Sequence, residues 1–312
     1  MKDSKMAGIW YSVGGGICWG LSGCFGQFLF QQRDITAEWL VSVRLIFAGI
    51  LLVVIGCIRD KKQILQIFNE KKDRRKFIFF SFFGMLACQY TYFAAIQHSN
   101  AGTATVLQAT APIVILIAMC FTQKRLPKGF EALAICSTLM GTFILSTHGD
   151  IGSMTISTAA LFFGLTSAVT VAYYNVLGGE LLRRFGVCAT LGFAMLLSGS
   201  AMALVVQPWK DVIAWDIQTV LAVLGIIFVG TALAFGLFMK GVSIVGPFVG
   251  SLIGSVEPVT AIIVSAVFLG SPFVLLDVVG FAMILGTVIM LAVHNRGDGV
   301  SEEPEEPEEP AD

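Results

Sequence analysis

The sequence predicts an all-α membrane protein: ten transmembrane helices arranged as two inverted five-helix repeats, with the N- and C-terminal ends both on the cytoplasmic side (N-in/C-in). Three observations predict it. Apolar runs of about 20 residues, enough for a helix to cross the ~30 Å hydrocarbon core, recur along the 312 residues. Only 13% of residues are charged, and the mean hydropathy is +0.82, whereas soluble domains carry about 25% charged residues. The charges that remain sit between the runs, and the second part of the chain repeats the pattern of the first.

Taken in order, the predicted spans are 7–30, 36–58, 77–97, 101–122, 128–147, 155–178, 187–207, 217–240, 246–269 and 272–294. The first is rich in small residues, with Gly16 and Gly20 four apart, a spacing that lets helices approach closely. It is too long for a secretory signal and lacks an A-x-A cleavage site. The second carries Arg44 in its interior, and the third follows the basic segment "RDKKQILQIFNEKKDRRK", read as a loop over 59–76. The fourth is interrupted by Pro112, and the fifth ends in "MGTFIL". The sixth, "LFFGLTSAVTVAYYN", weakly echoes the first, "GGGICWGLSGCFG". The seventh and eighth are plain apolar runs. The ninth carries a Gly246, Gly250, Gly254 stripe and then "GSVEPVTAIIV", where Glu257 directly precedes Pro258. The tenth ends in "LGTVIM". Beyond it, the tail over 297–312 is acidic, poor in apolar residues and rich in Glu and Pro, a composition that predicts disorder.

The orientation follows from the basic residues. With the N-terminus inside, the outer segments hold only Arg33 and Lys210, and Arg44 lies within a span; the rest of the 20 Lys and Arg fall inside. Cytoplasmic loops carry such an excess. Trp10, Trp39, Trp209 and Trp215 fall at predicted interfaces, as belt anchors do.

The repeat pairs residues 97–145 with 242–290. Pro112 aligns with Pro258, and Gly141-Thr142 with Gly286-Thr287. This divides the chain into units 7–147 and 155–294. Five spans is an odd number, so the second unit must enter the membrane from the opposite face. That makes the repeats inverted, a plan under which secondary transporters rock one half against the other around a midplane site.

The chain resembles the drug/metabolite transporter superfamily, and within it the EamA-type ten-helix carriers, over residues 7–294. The resemblance is carried by Trp19-Gly20, by Arg44 in "VSVRLIFAG", by "NAGTATVLQATAP" ending in Pro112, by "SVEPVTAIIVSAVFLG", and by the two "GT" span ends. It departs from the family where a glutamate is often found at the inner end of span four and the outer end of span nine: the sequence there reads "FTQKRLP" and "FLGSPF". The resemblance implies secondary-active transport of a small organic solute. An amino acid or related metabolite, exported by alternating access across the cytoplasmic membrane, is the first expectation. Uptake of an amine, purine or similar solute is the second.

Depth picks out the candidate site. At ~1.5 Å per residue, Glu257 lies about eleven residues, or roughly 16 Å, into its span, near mid-bilayer. Trp19, Arg44, Gln89 and Pro112 reach similar depths on four other spans. A charge at that level costs at least ~2.5–3.5 kcal/mol on insertion scales, so it should face the interior or a watery cavity and find a partner. Glu257 is therefore a candidate to meet solute or carry a coupling proton. Its alternative is an ion pair with Arg44, or a cap for backbone groups freed by Pro258. Arg44 itself reads more readily as a framework residue. Pro258 frees a carbonyl near Gly254, and Pro112 makes the matching break; paired breaks point to a transporter site. Trp19, Tyr90, Tyr92, Phe93, Tyr173, Tyr174 and Phe235 are aromatic candidates to box a cation or a planar solute, with Trp19 and Tyr90 preferred for depth. Gln89, Gln108 and Asn175 either bond solute or tie helices together.

Other classes find little support. The net charge of −1 does not suggest nucleic acid. The seven cysteines form no C-x-x-C pair, and Gly14-Gly15-Gly16 is followed by no G-K-[ST], so no metal, cofactor or nucleotide site is expected. The three histidines fall near span ends, and no enzyme constellation assembles. A membrane receptor or scaffold is the non-transport alternative; it needs neither paired breaks nor a midplane acid. The expected partners are a small organic solute, the lipid bilayer and a coupling proton. The glycine stripes serve contacts within a chain or between chains, so a monomer and a weak dimer both fit.

Overall fold

The computed structural model describes residues 2–68, 71–99, 101–147, 150, 152, 157–211, 213, 215–269 and 274–297; the acidic tail from 298 onward and His148 lie outside them, while Gly297 ends the last helix. Among the described residues every regular element is helical. In order these are α1 (Lys2–Gln32), α2 (Ala37–Leu65), α3 (Lys71–Phe79), α4 (Ala87–Gln97), α5 (Ala101–Gln108), α6 (Ala111–Thr122), α7 (Gly129–Thr147), α8 (Thr158–Phe185), α9 (Val187–Val206), α10 (Ile217–Ile227), α11 (Ala234–Val245), α12 (Pro247–Gly254), α13 (Val256–Leu269) and α14 (Leu275–Gly297). Seven helical stretches among the described residues are long and apolar enough to cross a membrane: Lys5–Gln32, Ala37–Arg59, Lys71–Gln97, Ala104–Thr122, Thr158–Phe185, Val187–Val206 and Ile217–Val245. Gly129–Ile144 and Leu275–Thr287 are shorter apolar helices. The ninth expected span is divided at Ser255 into α12 and α13.

The outside of this bundle is apolar. On α2, Phe47, Ile50, Val54 and Ile58 are exposed at helical spacing, while Leu40, Val41, Leu45 and Ala48 on the same helix are fully buried. A helix apolar on both faces has lipid on one side and protein on the other. The largest apolar core runs through α1, α2, α4, α8, α9, α10 and α11. A smaller one joins α6, α7 and α12. Within this packing α2 lies along α9, α7 along α14, α1 along α11 and α4 along α8. Glycine permits the closest approaches: a Cβ added at Gly49 would stand 2.8 Å from the Leu196 backbone nitrogen, and at Gly141 2.8 Å from Ile284.

Helix ends follow local chemistry. Ser157 caps α8 by accepting from the Ala160 N–H, and Asp216 caps α10 by accepting from the Thr219 N–H at 2.7 Å. Arg183 and Arg184 occupy the last turn of α8, at the negative end of its dipole. Gly186 (φ 80°) and Gly246 (φ 88°) turn the chain between α8 and α9 and between α11 and α12, with backbone angles that side chains resist.

Three differences from the sequence expectation stand out. The described residues of the segment 59–76 are helical and do not form a loop. Helix α2 continues to Leu65, a 3₁₀ turn covers Gln66–Phe68, and α3 begins at Lys71. Lys, Arg, Gln and Leu propagate a helix readily. Ile67 and Phe68 then anchor the turn: Ile67 is fully buried, and the Phe68 ring meets those of Phe77 and Phe193 at 5.7 and 4.9 Å. Secondly, Phe80–Leu86 and Phe228–Leu233 are π-helical, each inside a longer apolar helix. Trp39 also departs from the belt expectation. It is buried, its ring lies 6.0 Å from Trp215, and its indole N–H donates to the Pro208 carbonyl at 3.1 Å.

Candidate functional site

A cavity opens where the two interrupted helices meet the rest of the bundle. The first interruption is the turn at Ala109-Thr110, after which Pro112 sits in the first turn of α6; the second is Ser255, followed by Glu257 and Pro258 in the first turn of α13. The proline at each place lacks the N–H that a continuous helix would use. The cavity has a volume of about 80 Å³.

Of the residues singled out by depth and chemistry, Trp19, Arg44, Gln89, Gln108, Asn175 and Glu257 line this cavity, as do Pro112, Gly254 and Pro258. Tyr90 stands apart. Its hydroxyl donates to Glu38 at 3.0 Å and its ring meets Phe163, so it joins α4 to the start of α2 and to α8 away from the cavity. Tyr173 is likewise turned outward.

Arg44 and Glu257 do not pair with each other: no ion pair joins them, and each has other partners. The Arg44 Nε donates to Thr231 Oγ1 at 2.9 Å, and Nη2 donates to the Gly230 carbonyl at 3.3 Å. Both acceptors belong to the second π-helical segment, where the altered register loosens the backbone bonding of an ordinary helix. The guanidinium also lies 4.5 Å from the centre of the Phe93 ring. Its Nη1 has no hydrogen-bond partner among the described residues, although the side chain is buried. Glu257 takes its hydrogen bond from the Tyr92 hydroxyl, at 2.5 Å on Oε1, and that hydroxyl is 3.2 Å from Thr105 Oγ1. The Thr105 hydroxyl is within 2.7 Å of the Ala101 carbonyl. A short chain of hydroxyls thus leads from α5 to the carboxyl on α13.

Aromatic rings form one wall. Trp19 contacts Phe235 edge-on at 4.9 Å and Phe238 at 4.5 Å, and Tyr174 meets Phe235 at 5.6 Å. Gln108 bonds to Ser167 Oγ at 2.7 Å, so it ties α5 to α8 at the rim of the cavity. Four further side chains lining the cavity hold buried polar atoms without a partner among the described residues: the hydroxyls of Ser22, Thr142 and Tyr174, and both amide atoms of Asn175. Buried polar groups normally find partners, and leaving one without costs about 1–3 kcal/mol. Five such side chains around one cavity, Arg44 included, describe a place fitted for a polar guest.

Sequence reasoning did not put forward Ser22 or Thr105, and read Thr142 only as part of the repeat, because a serine or threonine in an apolar helix is too common to mark a site. Tyr92 and Tyr174 stood among the aromatic candidates without preference. Among the described residues no group of three or more His, Cys, Asp or Glu is placed to hold a metal ion.

The model of the EamA-like transporter family matches this chain over residues 6–147 and again over 158–293. The uncharacterized inner membrane transporter YicL of Salmonella typhimurium is 32% identical over 280 residues, covering 90% of this chain and 93% of that protein. The uncharacterized transporter YetK of Bacillus subtilis is 26% identical over 269 residues, covering 81% and 77%. An uncharacterized transporter of Archaeoglobus fulgidus is 24% identical over 246 residues, covering 78% and 83%. A solved crystal structure superposes with a TM-score of 0.73 over 96% of this chain and 99% of its own; at 13% identity it speaks for the fold alone. With both long stretches matched by one family model, and a relative aligned nearly end to end, the chain is a multi-pass membrane protein belonging to the EamA-like transporter family.

Proposed function

We propose that this protein is a secondary-active carrier in the cytoplasmic membrane, moving a small organic solute by alternating access through the cavity between its two interrupted helices. The observation that carries the reading is the set of buried, unpartnered polar groups around that cavity. A purely structural bundle gains nothing by leaving them empty, whereas a solute would satisfy them on binding and release them on leaving.

The chemistry of the cavity favours an amphoteric solute, an amino acid or related metabolite. Arg44 offers a free Nη1 to a carboxylate, Glu257 offers a carboxyl to an ammonium or to a coupling proton, and the Trp19–Phe235–Phe238 wall offers a surface to an apolar side group. Export is the preferred direction. The second reading, an organic amine or purine taken up by the cell, rests on the same aromatic wall facing Glu257.

Ten spans in two inverted repeats, N-in and C-in, remain the topology we favour. Several features support it by recurring once per half. The α1–α11 packing has its counterpart in α8–α4, the interruption at Ala109-Thr110 in that at Ser255, and the π-helical segment Phe80–Leu86 in Phe228–Leu233. Two ion pairs recur as well: Arg33–Asp216 joins the end of α1 to the start of α10, and Arg184–Asp73 joins the end of α8 to the start of α3, both at 2.7 Å.

The test is solute flux into proteoliposomes, with a panel of amino acids, purines, quaternary amines and organic acids first screened for thermal stabilisation of the purified protein. A solute at 100 times its Kd should add about 2.7 kcal/mol. Glu257→Gln should keep the fold and lower flux of that solute by about tenfold or more, a change of ~1.4 kcal/mol in the barrier. Undiminished flux with an unchanged pH profile in that variant would falsify the placement of Glu257 at the solute.

A further inference from the structure

A second recess lies away from the central cavity, between the start of α3 and the outward face of α8. Lys72, Arg75, Lys76 and Phe79 follow one another at the spacing of a single face of α3, and Tyr173 and Leu177 face them from α8. Among the described residues the charges here are not balanced. Lys76 is paired with Glu180 at 2.5 Å, and Asp73 is spent on Arg184. Lys71, Lys72 and Arg75 have no ion pair among the described residues, and all three are exposed. They also stand in the first two turns of a helix, where the backbone dipole already presents positive charge and repels cations. Among the described residues no carboxylate answers these three cations, so an anion from outside the chain would complement them.

What lies beyond the charges says which kind of anion. Below them the groove turns apolar: Phe79 stacks on Phe83 at 5.7 Å, and Phe83 is 59% exposed. On the α8 side Val169 and Val176 are exposed beside Tyr173. From Lys72 to Phe83 is eleven residues, roughly 16 Å at helical rise, close to half the ~30 Å hydrocarbon thickness. A soluble phosphate has no use for such a track. We propose that this groove is a specific site for an anionic phospholipid, its phosphate held by Lys71, Lys72 and Arg75 and one acyl chain lying over Phe79, Phe83 and Tyr173. Basic clusters next to membrane helices bind anionic headgroups at about 1 kcal/mol per cation, and here the cations and the chain track are continuous. The site is independent of the solute cavity.

The experiment is native mass spectrometry of the delipidated full-length protein, offered equal amounts of phosphatidylglycerol and phosphatidylcholine. Wild type should retain phosphatidylglycerol with about a tenfold preference. The double variant Lys72→Gln/Arg75→Gln should reduce that preference to threefold or less. Arg74→Gln, which removes an exposed charge of the same helix outside the groove, should leave it intact. Equal retention of the two lipids by wild type overturns the proposal without any variant. So does an equal loss in Arg74→Gln, which would mean diffuse charge and no built site. Full displacement of the lipid by millimolar inorganic phosphate also overturns it, because the chain track would then contribute nothing.

Discussion

Arg44 shows how a costly residue is kept. Its guanidinium is shared among a hydroxyl, a carbonyl and a ring on other helices, and one nitrogen is left over. Lysine has a single nitrogen and cannot serve these directions together. Arg44→Lys is therefore expected to fold, yet to lose at least about tenfold in solute affinity, ~1.4 kcal/mol, read as a smaller ligand-induced thermal shift. Retained affinity would return Arg44 to the framework role that its resemblance implies. Asp216 gives a pH control. Hydrogen bonds from Thr219, on side chain and backbone, and then from Arg33, hold its carboxyl down at about 2, below the usual 3.8. A depressed folded value adds stability that is fully present above the unfolded value and is lost only as pH falls through the folded one. Any change in flux between pH 5 and 8 thus lies outside the Asp216 window, and Asp216→Asn should leave that profile unmoved. The legibility of the site belongs to this scale as well. Depth along a helix can be counted from a sequence, which is why Trp19, Arg44, Gln89 and Glu257 all reach the cavity. Rotation about the helix axis is harder to fix: Tyr90 follows Gln89 directly, and about 100° of turn carries it to Glu38 instead.

Elements explain what proline signals made readable and what they did not. Pro112 and Pro258 announced both interruptions, because a missing N–H and a clash with the preceding turn act locally. The π-helical segments Phe80–Leu86 and Phe228–Leu233 have no such marker; a register of i→i+5 is set by packing, and Arg44 on another helix takes up the Gly230 carbonyl in one of them. The helical course of 59–68 and 71–76 was hidden for a different reason: charge reads as loop until Ile67 and Phe68 are seen to dock. Helix contact offers its own test in the two aligned glycines. A Cβ at Gly141 would meet Ile284 at 2.8 Å and the Gly280 carbonyl at 3.0 Å, whereas one at Gly286 meets nothing within 4 Å. Gly141→Ala should destabilise by about 1–3 kcal/mol through overpacking of α7 on α14. Gly286→Ala should be neutral or gain up to ~1 kcal/mol from helix propensity. Thermal melts in one detergent would decide; equal melting of both variants would mean that the α7–α14 contact is looser than described.

At the scale of the whole molecule the prediction is topological. If the halves are inverted, Lys128 and Lys210 lie on opposite faces of the membrane. Single cysteines at those positions, in a background cleared of the seven native ones, should label from inside and outside respectively with an impermeant reagent. Labelling of both from one side would end the N-in/C-in arrangement. The same arrangement puts the two recurring ion pairs on opposite faces, Arg33–Asp216 on one and Arg184–Asp73 on the other, each with one partner about half exposed. Exposed charges feel dissolved salt, with a Debye length of ~8 Å at 0.15 M and ~3 Å at 1 M. A membrane keeps two salt solutions apart. Concentrated salt on one side alone would loosen the tie on that side and leave its twin untouched, so the chemistry of the two bathing solutions becomes a handle on which way the protein faces at rest.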